Sequence, residues 1–172
     1  MACGHDPRRG ILVRTLRFGV ALFLRHIWVL TAPAAFLAVA VWLGVAYHSW
    51  STVPLASLIM LHTAFGLLGS YVVHECGHFV GLGLCTHVSM VSVTSTPFRL
   101  SLNPAGQLTT RAALGVAVAG PLSAVLVGAG LWVLFPELGL GWWYLGHAAF
   151  LAPCFGDGRG GAQAAPPLAT PA

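Results

Sequence analysis

From Pro54 to Leu84 the chain runs for 31 residues with one charged side chain, and that one is Glu75, set between His74 and His78. An apolar stretch of this length commits the chain to a bilayer, where ionisable groups are costly and mark function. Further apolar runs cover Ile27 to Tyr47 (21 residues), Ala112 to Phe135 (24 residues) and Leu138 to Phe155 (18 residues, interrupted by glycine). A helical span needs about 20 residues, so the first two of these qualify and the last is marginal. Pro54 to Leu84 is too long for one perpendicular span, and it is expected to tilt, to begin late, or to break near Gly81 and Gly83. Only 7% of the residues are charged and 57% are hydrophobic, which excludes an ordinary soluble domain.

Arginine orients the bundle. Arg8, Arg9, Arg14, Arg17 and Arg25 precede the first span, Arg99 and Arg111 lie between the second and third, and Arg159 follows the fourth. The loops near His48 to Val53 and Pro136 to Glu137 hold none. This asymmetry predicts an all-α polytopic protein of about four transmembrane helices with both termini cytoplasmic, and the cell membrane is the expected location. The net charge of +4 fits orientation and contact with lipid headgroups, with no case for nucleic acid. The first apolar run starts late and is longer than a signal core, so no cleaved signal peptide is expected. Three regions follow: a basic cytoplasmic or interfacial segment over 1–26, a membrane domain over 27–158, and a Gly/Pro/Ala tail over 159–172 that reads as disordered. Residues 11 to 25 suit a surface helix with Arg14, Arg17 and Arg25 toward headgroups and Leu12, Leu16, Leu22 and Phe23 toward acyl chains; a plain basic flank is the alternative.

On a helix, His74 and His78 lie one turn apart on one face, so both imidazoles can bind one Zn²⁺ with Glu75 beside them to take a proton from a polarised water. Given 8 histidines in 172 residues, about 0.004 chance matches to this pattern are expected, so coincidence is a poor account. The plain alternative is histidines bonded to helix backbone beside a protonated Glu75. A catalytic zinc takes three protein ligands and keeps a fourth position open. Of the other acidic residues, Asp6 lies in the polar N-terminal segment and Glu137 in a loop on the opposite side of the membrane. Asp157 remains, on the cytoplasmic side with His74 and His78, although Gly-Asp-Gly-Arg-Gly also suits an ordinary turn.

Other histidines carry plainer readings. His87 is a fourth or substitute ligand at best and more simply a polar loop residue. His62 lies roughly 18 Å along a helix from His74 and cannot share its metal. His147, ten residues before Asp157, is expected to be too far away, and His5, His26 and His48 to be interfacial. Cys76 and Cys154 neighbour the proposed site, where a thiolate ligand competes with simple packing; no CxxC occurs, and disulfides are not expected. Between the second and third spans, Val88, Val91, Val93, Thr94 and Thr96 favour strand, and Pro97 turns it into a short β-hairpin with Phe98 to Leu102; a loop dipping into the interface is the alternative.

His74-Glu75-Cys76-Gly77-His78 on one span, Ala119-Gly120-Pro121-Leu122 on the next, and Asp157-Gly158 after Pro153 resemble the site-2 protease family of intramembrane zinc metalloproteases. The resemblance covers roughly residues 54 to 159, with the core over 54–158. It implies one Zn²⁺ per chain on His74, His78 and Asp157, Glu75 as general base, and a transmembrane protein as substrate; regulation is expected to come from substrate pre-cleavage or from a separate protein. Departures are specific: Ala124 and Phe150 stand where the family often has asparagine, and the interval from Pro153 to Asp157 is one residue short. The expectation is therefore an intramembrane zinc endopeptidase, the alternative a catalytically inactive relative that binds and regulates membrane helices. A di-iron hydroxylase would need several histidine boxes and a proton-coupled transporter an internal repeat, and the sequence has neither.

Overall fold

The computed structural model describes residues 10–85, 88, 90–95, 100–105 and 108–152. The first helical stretch runs from Ile11 to Tyr47, 37 residues, and so begins well before the apolar run at Ile27. It comprises α1 (Ile11–His26), a tight 3₁₀ turn (Ile27–Leu30) and α2 (Thr31–Tyr47). Pro33 explains the join: it has no N–H to give and its ring crowds the carbonyl four residues back. The backbone tightens there, and Thr31 Oγ1 donates to the Trp28 carbonyl at 2.7 Å. His48, exposed and in the left-handed region at φ 53°, stops α2. Trp50 then folds back over Gly44, where an added Cβ would meet the indole at 2.6 Å.

A second stretch, Val53–Gly83, keeps helical form for 31 residues. Its irregularity falls earlier than Gly81 or Gly83: α3 (Val53–Leu61) passes through a π-helical turn (His62–Leu68) into α4 (Gly69–Gly83). Such a turn shifts backbone groups out of the ordinary ladder. Here the Phe65 carbonyl accepts a 2.8 Å hydrogen bond from the Tyr144 hydroxyl. The third stretch is α5 (Thr110–Leu134), 25 residues, capped by Thr109, whose Oγ1 accepts from the Ala112 N–H at 3.2 Å. These three are long and apolar enough to cross a membrane. Their outward surface is rich in large apolar side chains, among them Val133, Leu134, Leu126, Val45 and Leu55, while Ala40, Ala56, Gly77, Gly120 and Ala124 are buried. Small residues inside and large ones outside suit helices that gain little from hiding leucine but much from close backbone approach.

After α5 the chain follows a broken path in place of one continuous helix: a 3₁₀ turn (Pro136–Leu138), α6 (Gly141–Leu145) and a second 3₁₀ turn (Gly146–Leu151). Gly139, at φ 63°, makes the bend between the first two. α6 comes so close to α5 that a Cβ on Gly141 would lie 2.9 Å from the Gly128 carbonyl. The expected hairpin is present, displaced along the sequence: β1 (Met90–Ser95) pairs antiparallel with β2 (Leu100–Ala105), with Val91 opposite Pro104 and Thr94 opposite Ser101. Pro104 is tolerated because each strand of a two-stranded sheet has an open edge. Thr96, Pro97 and Phe98 lie outside the described residues.

α1 differs from the surface helix expected of it. Leu12 is 79% exposed, whereas Leu22 is 3% exposed because α1 packs on α4. Phe18 stacks on Phe79 at 4.7 Å, and a Cβ on Gly19 would meet Cys76 Sγ at 3.0 Å. His26, expected at the interface, is buried, with Nδ1 2.9 Å from the Leu22 carbonyl and its ring edge-on to Tyr71. Helical periodicity over two turns places Gly19, Leu22 and His26 on a single face, and that face meets α4.

Candidate metal centre

α4 carries the motif where helical periodicity puts it. His74 and His78 lie on one face, their Nε2 atoms 3.1 Å apart and their rings edge to face. Two imidazoles on one tetrahedral zinc, each at about 2.0–2.1 Å, place their nitrogens about 3.3 Å apart, so the pair has the spacing of two zinc ligands. His74 is buried and His78 half-buried.

His78 is fixed from α5. Its Nδ1–H donates to the Val116 carbonyl at 2.7 Å, since a carbonyl only accepts, and this leaves the Nε2 lone pair for the side shared with His74. Gly120 provides the floor: a Cβ there would fall within the His78 ring at Nε2. Gly77 lets the helices meet, because any side chain on it would strike Ser123 Oγ and the Ala119 carbonyl. Ser123 Oγ lies 3.0 Å from the Val73 carbonyl and 2.7 Å from the Gly120 carbonyl, bridging the two helices. Pro121, buried beside Gly120, has no N–H for the Ala117 carbonyl, which loosens the α5 ladder at this crossing.

His147 contradicts its expected remoteness. The turn Gly146–Leu151 brings its Nδ1 to 2.9 Å from His74 Nδ1, and its Nε2 to 3.2 Å from Ser70 Oγ. A straight helix would carry His147 away from His74, whereas the described path from Pro136 to Leu151 is two short 3₁₀ turns on either side of α6. His147 meets the side of His74 opposite His78. The three rings therefore do not converge on one point, and among the described residues no group of three His, Cys, Asp or Glu side chains is arranged to hold a metal ion. Phe150 also reaches the site, edge-on to His74 at 5.4 Å and tilted against His147 at 5.2 Å.

Glu75 follows His74 on α4 and is half-buried. Cys76 turns away from the histidine pair toward α1, its Sγ 3.8 Å from the Thr15 carbonyl, which favours the packing reading over a thiolate ligand. His62 accepts from Trp143 Nε1 at 2.9 Å, apart from the pair. Asp157, His87 and Cys154 lie outside the described residues. Ser70 and His147 were the residues sequence reasoning missed. Ser70 had a usable signal, lying one turn before His74 on the same face. His147 had only its polarity within an apolar run.

Comparison with protein-family models, with curated proteins and with solved structures finds no match for this chain.

Proposed function

We propose that this chain is an intramembrane zinc endopeptidase that hydrolyses a peptide bond in or near a transmembrane segment of another protein. The observation that carries the reading is the His74–His78 pair, with Nε2 atoms 3.1 Å apart on a helix of membrane-spanning character and Glu75 between them in sequence. His74, His78 and Asp157 would hold one Zn²⁺. When bound, the ion supplies Lewis-acid polarisation of a water and of the scissile carbonyl. Glu75 would serve as the general base for the attacking water and return the proton to the leaving amine. The hairpin β1–β2 follows the motif helix directly, and an open strand edge there pairs with a substrate unwound into extended form, holding its backbone for attack. The chain has four spans with both termini in the cytoplasm and resides in the cell membrane; the segment after α5 forms the last crossing, and a separate protein regulates access.

Zinc content of the detergent-purified chain tests the reading. The expected result is about one ion per chain, lost on His74→Ala and sharply reduced on Asp157→Ala. A native chain without zinc, offered the ion during purification, would remove the metalloprotease.

The second reading is a catalytically inactive relative that binds membrane helices, favoured by Phe150 lying on His74 where an amide would serve a substrate. Membrane-helix reporter peptides in vesicles separate the two: cleavage by the native chain, lost with Glu75→Gln while peptide binding persists, belongs to the enzyme alone.

A further inference from the structure

Resting on the zinc reading of the histidine pair, we propose that His147 is the positioning residue for His74, acting with Ser70 to fix which nitrogen of that ligand faces the metal. A histidine binds metal through a bare nitrogen, so its proton must sit on the other nitrogen and needs an acceptor. For His78 the acceptor is the Val116 carbonyl at 2.7 Å. For His74 it is His147 Nδ1 at 2.9 Å. The proton of His147 then sits on Nε2, 3.2 Å from Ser70 Oγ, and Ser70 donates onward to the Leu67 carbonyl at 3.1 Å. Each link has one donor and one acceptor, and the chain ends on a helix carbonyl.

The same groups can be wired in the opposite sense. Ser70 then donates to His147 Nε2, His147 Nδ1–H to His74 Nδ1, and His74 Nε2–H to His78 Nε2, so that a proton bridges the 3.1 Å gap. Each imidazole carries one proton in both arrangements. The outward wiring presents two bare Nε2 atoms, and the inward wiring suits the metal-free pair.

The fold fixes His147 in place independently of this chain. Three residues upstream Tyr144 is bonded to the Phe65 carbonyl, Trp143 to His62, and Gly141 seats α6 against Gly128. The imidazole thus arrives from a braced segment, which is what a positioning group requires.

Zinc affinity of the full-length chain in detergent, measured by competition with a chromophoric chelator after metal removal, tests the proposal. We expect His147→Ala to weaken zinc roughly 10- to 100-fold. His147→Asn should recover most of that loss, because its Oδ1 takes the place of His147 Nδ1 and accepts from His74 Nδ1–H. Ser70→Ala should weaken binding a few-fold in the same direction. Native affinity in both His147→Ala and Ser70→Ala, with binding abolished by His74→Ala, would overturn the positioning role and leave the metal site intact. An Asn variant as weak as the Ala variant, while Ser70→Ala keeps native affinity, would make His147 a direct ligand and equally overturn it. If His74→Ala itself leaves zinc binding unchanged, the metal site of the proposed function fails, a result distinct from the other two.

Discussion

α4 shows two different kinds of packing on its opposite sides. Toward α1 it offers Phe79 and Cys76, which meet Phe18, Thr15 and Gly19 through an aromatic stack and a thiol in loose contact with a carbonyl. Toward α5 and the last turn it offers His74, Gly77 and His78, which meet Val116, Ala119, Gly120, Ser123 and His147 through hydrogen bonds and bare backbone. The first side is adaptable, since ring and thiol can shift by a few tenths of an ångström. The second has no slack, because glycine backbone sits where an added Cβ would strike the His78 ring. The proposed metal site lies where packing leaves least freedom, as a preorganised site requires.

The sharpest way to break this contrast is Glu75→Gln. It keeps the shape of α4 but removes the proposed base, and cleavage of a membrane-helix reporter should fall by about 10²- to 10⁴-fold with zinc content unchanged. An undiminished rate would show that Glu75 is not the base.

Gly120→Ala tests the rigid side next. The added methyl falls on His78 Nε2, so zinc affinity should drop at least about tenfold and the fold should lose roughly 1–3 kcal/mol through overpacking. Chelator competition and thermal unfolding in detergent read the two effects separately. Unaltered zinc affinity would mean that the crossing relaxes as freely as the α1 side.

Tyr144→Phe probes the brace behind His147. Losing the hydroxyl's 2.8 Å bond to the Phe65 carbonyl should cost about 0.5–1.5 kcal/mol, seen as a lower unfolding midpoint, with a smaller fall in zinc affinity. The smallest effect is expected for Cys76→Ala, on the adaptable side: stability within about 1 kcal/mol of native and zinc binding unchanged. Loss of zinc in that variant would return Cys76 to the metal and erase the distinction between the two sides.

How much of this was legible in the sequence differs by residue. His74 and His78 were readable because helical periodicity is local: four residues make one turn whatever the chain packs against. The hairpin was readable in kind from its β-branched residues and Pro97, but the second strand runs Leu100–Ala105 in place of Phe98 to Leu102, since where a strand starts and stops depends on partners that propensity does not name. Leu22 is expected toward acyl chains on a surface helix and His26 at the interface, yet both are buried. Arg14, Arg17 and Arg25 point outward while the opposite side of the same helix meets α4, and hydropathy averaged over a window cannot separate those sides.

By itself the sequence determined the apolar stretches, the helical form that a bilayer imposes on them, and the spacing that turns two imidazoles toward each other. Backbone groups in hydrocarbon must be satisfied within their own segment, so those features needed no distant partner. Tertiary structure alone decided that the π-helical turn at His62–Leu68 offers a carbonyl to Tyr144, that Gly120 lies beneath His78, and that His147 returns to His74 across 73 residues of chain. Those contacts depend on where two remote backbones approach within a few ångströms. That approach is set by which small residues face each other across a helix crossing, and no local pattern in the chain encodes it.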